Sequence, residues 1–470
     1  MLIADVIGLG SGGIQAAQLL GMEVGLLVAI LGYAFVVLSS EGNTPWADWR
    51  TRVDRFFSSP LTAILAGVLL AFLLFSIIPM FFHENLRFQY FNRYLPDRYP
   101  IGVDMQTLLG RIDTWFEIGT PYPGDIPQFY PPLTYAFFSP LTMVEYRTAF
   151  LITTLITLAG YVLITLTLPV QMAPGGRHSI VFLLFAAGLF SYGLEFELER
   201  GQYNVLTFLF VMLAAYLYHF HHRFRTIAYL LFSLAVQLKV FPAIFILMFV
   251  KDWRDWKGNL RRFAGLALFN FALLFILGTR VFLEFLGVIT QQVLAPSWSW
   301  NGNHSIQAFV FNLTKDGYGL IGPEALEAVS RYASLLTWTF LAIFALCLFL
   351  VLYHSYRQNE NGFNPYLFLV CTLGALIVPT SNDYTLSFLI APAGLLFAVI
   401  AAGSFKARAA ASLLSFIASL SFASTLFPFK YKPYFLNNNF PALFLMLVSV
   451  TAIFLLRDRK ADSEIPVNHP

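Results

Sequence analysis

The stretch Gly102–Leu141 reads GVDMQTLLGRIDTWFEIGTPYPGDIPQFYPPLTYAFFSPL. It is a polar, proline-rich and aromatic loop set between two long apolar segments, and it carries Asp104. Helices that merely pack against one another in lipid have no need of such a loop. Chemistry at the lipid headgroup level does need one, because a carboxylate must be kept in water beside a lipid-linked substrate.

The surrounding sequence shows why lipid is the right setting. Hydrophobic residues make up 58% of the chain and charged residues 12%, where soluble domains carry about 25% charged residues. The apolar residues come in runs of roughly 20, the length that crosses a bilayer as a helix. The alternating segments of about ten residues that mark an outer-membrane barrel are absent. The pattern predicts an all-α polytopic membrane protein. The net charge of +3 is small and sits in clusters flanking the membrane, so it speaks of topology and not of nucleic acid. Cys347 and Cys371 lie inside apolar runs without metal spacing and read as packing residues. The N-terminus lacks the basic start of a cleaved signal, so the first span is expected to stay in the mature protein. GLGSGG near Gly8 follows no strand and precedes a membrane span, so a phosphate cradle is not expected there.

Spans are expected near Met22–Ser39, Pro60–Phe82, Thr148–Leu168, Ser179–Leu194, Val205–His219, Phe263–Leu277, Ala333–Tyr353, Tyr366–Pro379, Leu386–Ala402, Ala410–Phe427 and Phe440–Leu456. The apolar stretch Thr226–Val250 differs, because basic residues flank both of its ends. Arg223 and Arg225 come before it, and Lys251, Arg254, Lys257, Arg261 and Arg262 follow. Positive charge marks the cytoplasmic side, so this segment must enter and return. Lys239 and Pro242 lie near its middle, and proline breaks helices. Two short helices meeting at Lys239-Val240-Phe241-Pro242 are the expectation. Arg50, Arg52, Arg55, Arg177, Arg357, Lys406, Arg408, Arg457, Arg459 and Lys460 mark further inside segments, including the C-terminus. Strict alternation then leaves the Asp104 loop, Glu195–Asn204, Arg280–Arg331 and Ser381–Tyr384 together on the outer face. Lys430 and Lys432 fall outside against the bias.

Each outer segment carries groups that could do chemistry. A carboxylate such as Asp104 near the interface can accept a proton from a hydroxyl; the plain alternative is a solvated acid or a helix cap before Met105. Asp113, Glu117 and Asp125 follow it. Glu195, Glu197, Glu199 and Arg200 precede Gly201-Gln202-Tyr203-Asn204, whose amides could bond sugar hydroxyls or a phosphate, or simply cap a helix. Lys239 is harder to explain as structure. A lysine inside an apolar segment costs roughly 2.5–3.5 kcal/mol, and a lipid phosphate is its natural counter-ion; snorkelling or pairing with an outer glutamate are the alternatives. Trp298-Ser299-Trp300-Asn301-Gly302-Asn303-His304-Ser305 suits a pyranose face and its hydroxyls, or an ordinary aromatic belt. Asn382-Asp383-Tyr384 joins two spans and could be a simple turn.

In order along the chain, these segments resemble the polyprenol-phosphate-mannose-dependent glycosyltransferases of the GT-C superfamily, in particular glycosyltransferase family 87. The resemblance covers about Val103 to Pro392. It rests on Asp104; on Gly119-Thr120-Pro121-Tyr122 with Phe129-Tyr130-Pro131-Pro132-Leu133; on Gly201-Gln202-Tyr203-Asn204; on Lys239 with Pro242; on Asn303-His304-Ser305-Ile306; and on Asp383-Tyr384 before Pro392. It implies the GT-C fold, with about 12–13 transmembrane helices of the length a bilayer requires. It further implies an inverting transfer of a hexose, mannose by the resemblance, from a polyprenyl phosphate to a lipid or glycan hydroxyl on the extracytoplasmic face of the plasma membrane. The family's first-loop aspartate, its general base, matches Asp104, and its broken-helix lysine matches Lys239. Gln202, Arg200 and His304 join Lys239 as expected contacts of the donor phosphate. Tyr122, Tyr130, Asn204, Trp300, Asn303, Asp383 and Tyr384 are the expected contacts of sugar or acceptor. His304 stands where the family commonly has glutamine, which leaves its role open between phosphate and sugar.

The expected organisation is an extra N-terminal span and cytoplasmic loop over residues 1–58, a catalytic membrane module over 59–290 and a C-terminal membrane module over 291–470. The extra span puts the N-terminus outside, unlike the usual GT-C arrangement. No carboxylate pair has metal-ligand spacing, so no metal is expected, and no cofactor beyond the lipid-linked sugar. A monomer satisfies this reading. A lipid or polysaccharide transporter also uses broken helices with a midplane lysine, and a non-catalytic membrane subunit could keep the fold.

Overall fold

The computed structural model of the chain describes residues 102–123, 129–189, 191–294, 303–316, 322–360, 362–402 and 439–456, with residues 51 and 414. The expected spans Met22–Ser39, Pro60–Phe82 and Ala410–Phe427 lie outside the described residues, apart from Leu414, as do Asp125 and Trp300.

In chain order the helices are α1 Val103–Ile118, α2 Pro132–Phe138, α3 Tyr146–Met172, α4 His178–Leu189, α5 Tyr192–Arg200, α6 Asn204–Phe220 and α7 Arg225–Leu238. A 3₁₀ segment, Phe241–Phe249, follows. Then come α8 Trp256–Leu273, α9 Thr279–Leu294, α10 Ile306–Asp316, α11 Pro323–Arg331, α12 Ala333–Gln358 and α13 Pro365–Ile377. A second 3₁₀ segment, Asp383–Phe388, leads into α14 Ile390–Ala401, and α15 is Phe440–Leu456. Among the described residues the fold is all-α. Among those same residues, three helical stretches are long and apolar enough to cross a membrane: Tyr146–Met172, Ala333–Gln358 and Asp383–Ala401. On α12, Leu335, Trp338, Leu346 and Phe349 are exposed, as suits a face turned to lipid.

Three expectations change. The first half of the Asp104 loop is a helix, because Met105, Leu108, Leu109 and Ile112 recur at helical spacing and are buried together. The expected span Ser179–Leu194 is broken: α4 ends at Leu189, and the Ser191 hydroxyl caps α5 by accepting the Leu194 N–H at 3.3 Å. The segment Arg280–Arg331, expected on the outer face as a loop, holds three helices among the described residues, α9 to α11.

The break at Lys239 has a direct cause. In a continuous helix the N–H of residue 242 would bond the carbonyl of Leu238, and Pro242 has no N–H to give. The helix stops at Leu238, and Lys239 takes an extended backbone at φ −149, ψ 145. The orphaned carbonyls are met from another helix. The Thr134 hydroxyl of α2 lies 2.9 Å from Gln237 O and 3.1 Å from Leu238 O.

Among the described residues the apolar side chains gather into two cores. The large one runs from Tyr161 to Phe454 and is built around α6, α13 and α14. The small one joins α1, α2 and α9 through Met105, Ile112, Tyr122, Tyr135 and Phe285. Tyr203 and Leu238, neighbours of Gln202 and Lys239, belong to the small core, whereas Leu198 and Val205 belong to the large one. The polar residues between them therefore lie along the seam.

Candidate active site

The site begins with two helix ends brought together by glycines. α1 starts at Gly102 (φ 74), whose N–H donates to Glu199 O of α5 at 2.8 Å. A Cβ at Gly102 would come within 2.4 Å of the Tyr146 hydroxyl and 2.6 Å of the Phe150 ring. α5 ends at Gly201 (φ 65), where a Cβ would lie 2.8 Å from Met105 Cβ. Both positions need the left-handed region open to glycine, and both need the missing side chain. The C-terminus of α5 thus packs directly on the N-terminus of α1.

That approach places Arg200 on Asp104. Arg200 Nε donates to Asp104 Oδ2 at 3.1 Å and Nη2 to Oδ1 at 2.6 Å. This fork is the strong, bidentate form of an arginine–carboxylate pair. Gln202 adds a third bond, Nε2 to Asp104 Oδ2 at 2.5 Å. Asp104 also sits in the first turn of α1, where a negative charge is favoured by the helix dipole. The Asp104 and Arg200 side chains remain 20% and 35% exposed, so the pair opens to the surface.

Gln202 continues inward to Lys239. The Lys239 ammonium donates to Gln202 Oε1 at 2.7 Å. It lies 4.7 Å from the Tyr203 ring centroid and 5.4 Å from those of Tyr130 and Tyr384, within range of cation–π attraction. Gln202 Nε2 also reaches the Tyr130 hydroxyl at 3.4 Å. Burial pushes the Tyr130 phenol up to about 12, with the Asp104 charge adding to the effect. The Tyr384 ring stacks on Phe196 at 5.8 Å, and Phe196 also carries the Arg200 guanidinium at 5.7 Å.

Glu197 secures this turn from below. It is fully buried. It accepts from Asn204 Nδ2 at 2.7 Å and from the Val205 N–H at 3.0 Å, and its own carbonyl accepts the Gln202 N–H at 2.9 Å. Burial raises its pKa from 4.5 to about 7, against the opposing pull of Lys239 and the hydrogen bonds from Asn204 and Val205.

The expected residues therefore divide. Asp104, Arg200, Gln202, Lys239, Tyr130 and Tyr384 form one continuous cluster drawn from distant parts of the chain. Tyr122 borders it: its hydroxyl donates to Tyr130 O at 2.6 Å, and its ring packs on Tyr135 and Phe285. Asn204 turns its amide to Glu197. Asn303 and His304 form a buried junction with the segment 381–385. Asn303 pairs with Asn382, and its Oδ1 accepts from the Ser305 and Ser381 N–H groups. His304 N–H donates to Ser381 O at 2.7 Å, and its Nδ1 accepts from the Asn439 N–H at 3.2 Å. Its Nε2 lies 2.6 Å from Asp383 Oδ1, an ion-pair distance though out of line for a good hydrogen bond. Both side chains are fully buried. Two residues outside the expected set join the cluster. Tyr203 supplies the ring nearest Lys239, and Glu197 holds the turn; the burial of Glu197 could not be read from a run of acids beside Arg200.

Chemically, the cluster offers a surface-open carboxylate and an inner ammonium bridged by one amide. It can accept a proton at one end and hold an anion at the other. The family model for glycosyltransferase family 87 matches residues 129–379, more than half of the 470-residue chain. No curated protein and no solved structure matches.

Proposed function

The chain belongs to glycosyltransferase family 87, and from that premise we propose that it moves a hexose from a polyprenyl-phosphate donor to a lipid or glycan hydroxyl, with inversion, at the extracytoplasmic face of the membrane. The observation that carries this reading is the bridge from Asp104 through Gln202 to Lys239. A displacement at an anomeric carbon needs a base on one side and a stabiliser of the departing anion on the other. The acceptor hydroxyl gives its proton to Asp104 as its oxygen bonds to the anomeric carbon. The bond from that carbon to the phosphate oxygen breaks, and its electron pair leaves with the phosphate. The products are the glycoside, the polyprenyl phosphate monoester and a protonated Asp104, which returns its proton to solvent.

Lys239 suits the phosphate because it is an ammonium in an otherwise apolar segment, where an anion is the partner of lowest cost. Tyr130 and Tyr384 flank that ammonium and would line the space next to the phosphate, where the sugar must lie. His304, Asn303 and Asp383 would act by holding the loops that carry Tyr384. Mannose remains the sugar the family resemblance favours. The test is transfer from radiolabelled polyprenyl-phosphate hexoses by the purified protein in liposomes, with Asp104→Asn alongside. Turnover should fall by about 100-fold or more in the variant while it elutes and melts like the wild type. Undiminished transfer by Asp104→Asn would remove the base assignment.

A further inference from the structure

A general base has to be free to take a proton, and Asp104 is not free. Its carboxylate has about four acceptor positions, and Arg200 and Gln202 fill three of them: both Arg200 bonds of the fork and the Gln202 bond at Oδ2. Protonating a carboxylate in that grip breaks charge-assisted bonds, which are about twice as strong as neutral ones. The two donors are not equally fixed. Gln202 is 2% exposed and is tied inward to Lys239. Arg200 is the last residue of α5, is one-third exposed, and has its guanidinium 5.7 Å from the Phe196 ring centroid. Of the two, Arg200 is the one that can leave.

We propose that Arg200 serves two anions in turn: it holds Asp104 while the donor site is empty and moves to the donor phosphate once the lipid is seated, so that the base is released only after the donor is in place. The inference rests on the donor reading given above. The direction of charge flow in the reaction supports it. Negative charge leaves Asp104 as it takes the acceptor proton, and negative charge grows on the phosphate as the glycosidic bond breaks. With Arg200 already on the phosphate, its guanidinium meets the charge that grows there, and the released Asp104 is left to take the proton. Arginine suits both partners, because its planar fork matches a carboxylate and a phosphate in the same two-bond geometry. The kinetic consequence is a compulsory order, donor before acceptor: in the empty site Asp104 stays held and no acceptor is deprotonated.

The experiment is a double-mutant cycle on binding of bare polyprenyl phosphate, read by titration with purified protein. If Asp104 and the phosphate compete for Arg200, removing the carboxylate charge frees the guanidinium, and Asp104→Asn binds polyprenyl phosphate about tenfold more tightly, the low end of measured couplings between close charge pairs. In the Arg200→Gln background the same Asp104→Asn change should give no more than a twofold gain. An equal gain in both backgrounds would reduce the effect to plain repulsion between Asp104 and the anion and would overturn the proposal. An unchanged affinity in Asp104→Asn would mean that Arg200 never reaches the phosphate. A weakened affinity would mean that Asp104 aims a static Arg200 at it; either result also overturns the exchange. Phosphatidic acid, tested in parallel, distinguishes a site for polyprenyl phosphate from one for any lipid phosphate monoester. Failure of the wild type to bind polyprenyl phosphate better than unphosphorylated polyprenol would sink the donor reading itself and this inference with it. Thermal unfolding of each variant keeps a folding defect from passing as a binding result.

Discussion

The Lys239 ammonium donates to the Gln202 side-chain oxygen at 2.7 Å, so the one cation in an otherwise apolar segment is held by a neutral amide. An ammonium carries three donors, so it can keep the amide and still take an incoming anion, whereas a carboxylate in the place of the amide would compete with that anion. The cation is thus positioned yet left open to an incoming phosphate.

Lys239→Met tests that opening. Truncating one partner of a buried charge pair costs roughly 2–5 kcal/mol, so affinity for the donor lipid should fall by about 30-fold or more on that scale. Because the lysine is assigned to the phosphate, bare and sugar-loaded polyprenyl phosphate should lose affinity to the same degree. Two titrations against wild type and variant decide it, and unchanged affinity for both lipids would return Lys239 to a structural role.

Gly102→Ala should be among the most damaging small substitutions in the chain. The position has φ 74, and the added Cβ would meet Tyr146 and Phe150. Backbone strain of this kind costs of order 1–3 kcal/mol before the clash is counted. Thermal unfolding should show the loss. Turnover should drop as well, because the Gly102–Glu199 bond registers Asp104 against Arg200. A Gly110→Ala control, where a Cβ meets nothing within 4 Å, should be close to silent in both measurements.

Glu197 predicts a pH dependence of stability. Its folded pKa is about 7 against an ordinary value of 4.5, so the folded chain keeps a proton that the unfolded chain releases between those values. Stability from this group is full below about pH 4.5 and is lost as pH rises towards 7. Glu197→Gln keeps the shape and cannot ionise, so the melting temperature of the variant should vary less across that window than that of the wild type. Parallel slopes in the two proteins would refute the assignment.

Membrane sidedness can be read with an impermeant thiol reagent. Cysteine at Glu117 should label from the outer face and cysteine at Lys257 should not, in a background without Cys347 and Cys371. Both positions are exposed, whereas Thr120 beside the first is buried and would be a poor reporter. Labelling at Lys257 alone would invert the topology.

What could be read in the sequence was whatever stood out against an apolar background. Asp104, Lys239 and the Gln202 turn did so, because a charge or a cluster of amides in such a chain demands a reason. The stop at Pro242 was legible for the same kind of reason: proline removes a particular hydrogen bond. Tyr203 was not legible as a site residue. With 22 tyrosines and 50 phenylalanines in the chain, one more ring carries no signal until the fold sets it over an ammonium. The pairing of Arg200 with Asp104 depends on two glycines letting two helix ends meet, a tertiary event that neither local sequence announces. The helical character of residues 103–118 was visible in the spacing of Met105, Leu108, Leu109 and Ile112, but the proline-rich composition that follows masked it.

The order of the cluster along the chain has a consequence for biogenesis. Asp104, Tyr130, Glu197, Gln202 and Tyr203 all precede Lys239, and of the three rings around its ammonium only Tyr384 comes later. Synthesis proceeds from the N-terminus, and upstream parts fold first. When the lysine-bearing segment leaves the ribosome, the groups that receive its charge already exist, so the membrane never has to accept that ammonium unattended. A rearranged chain that begins at α7 would contain every residue of the site and would meet the insertion machinery in the wrong order.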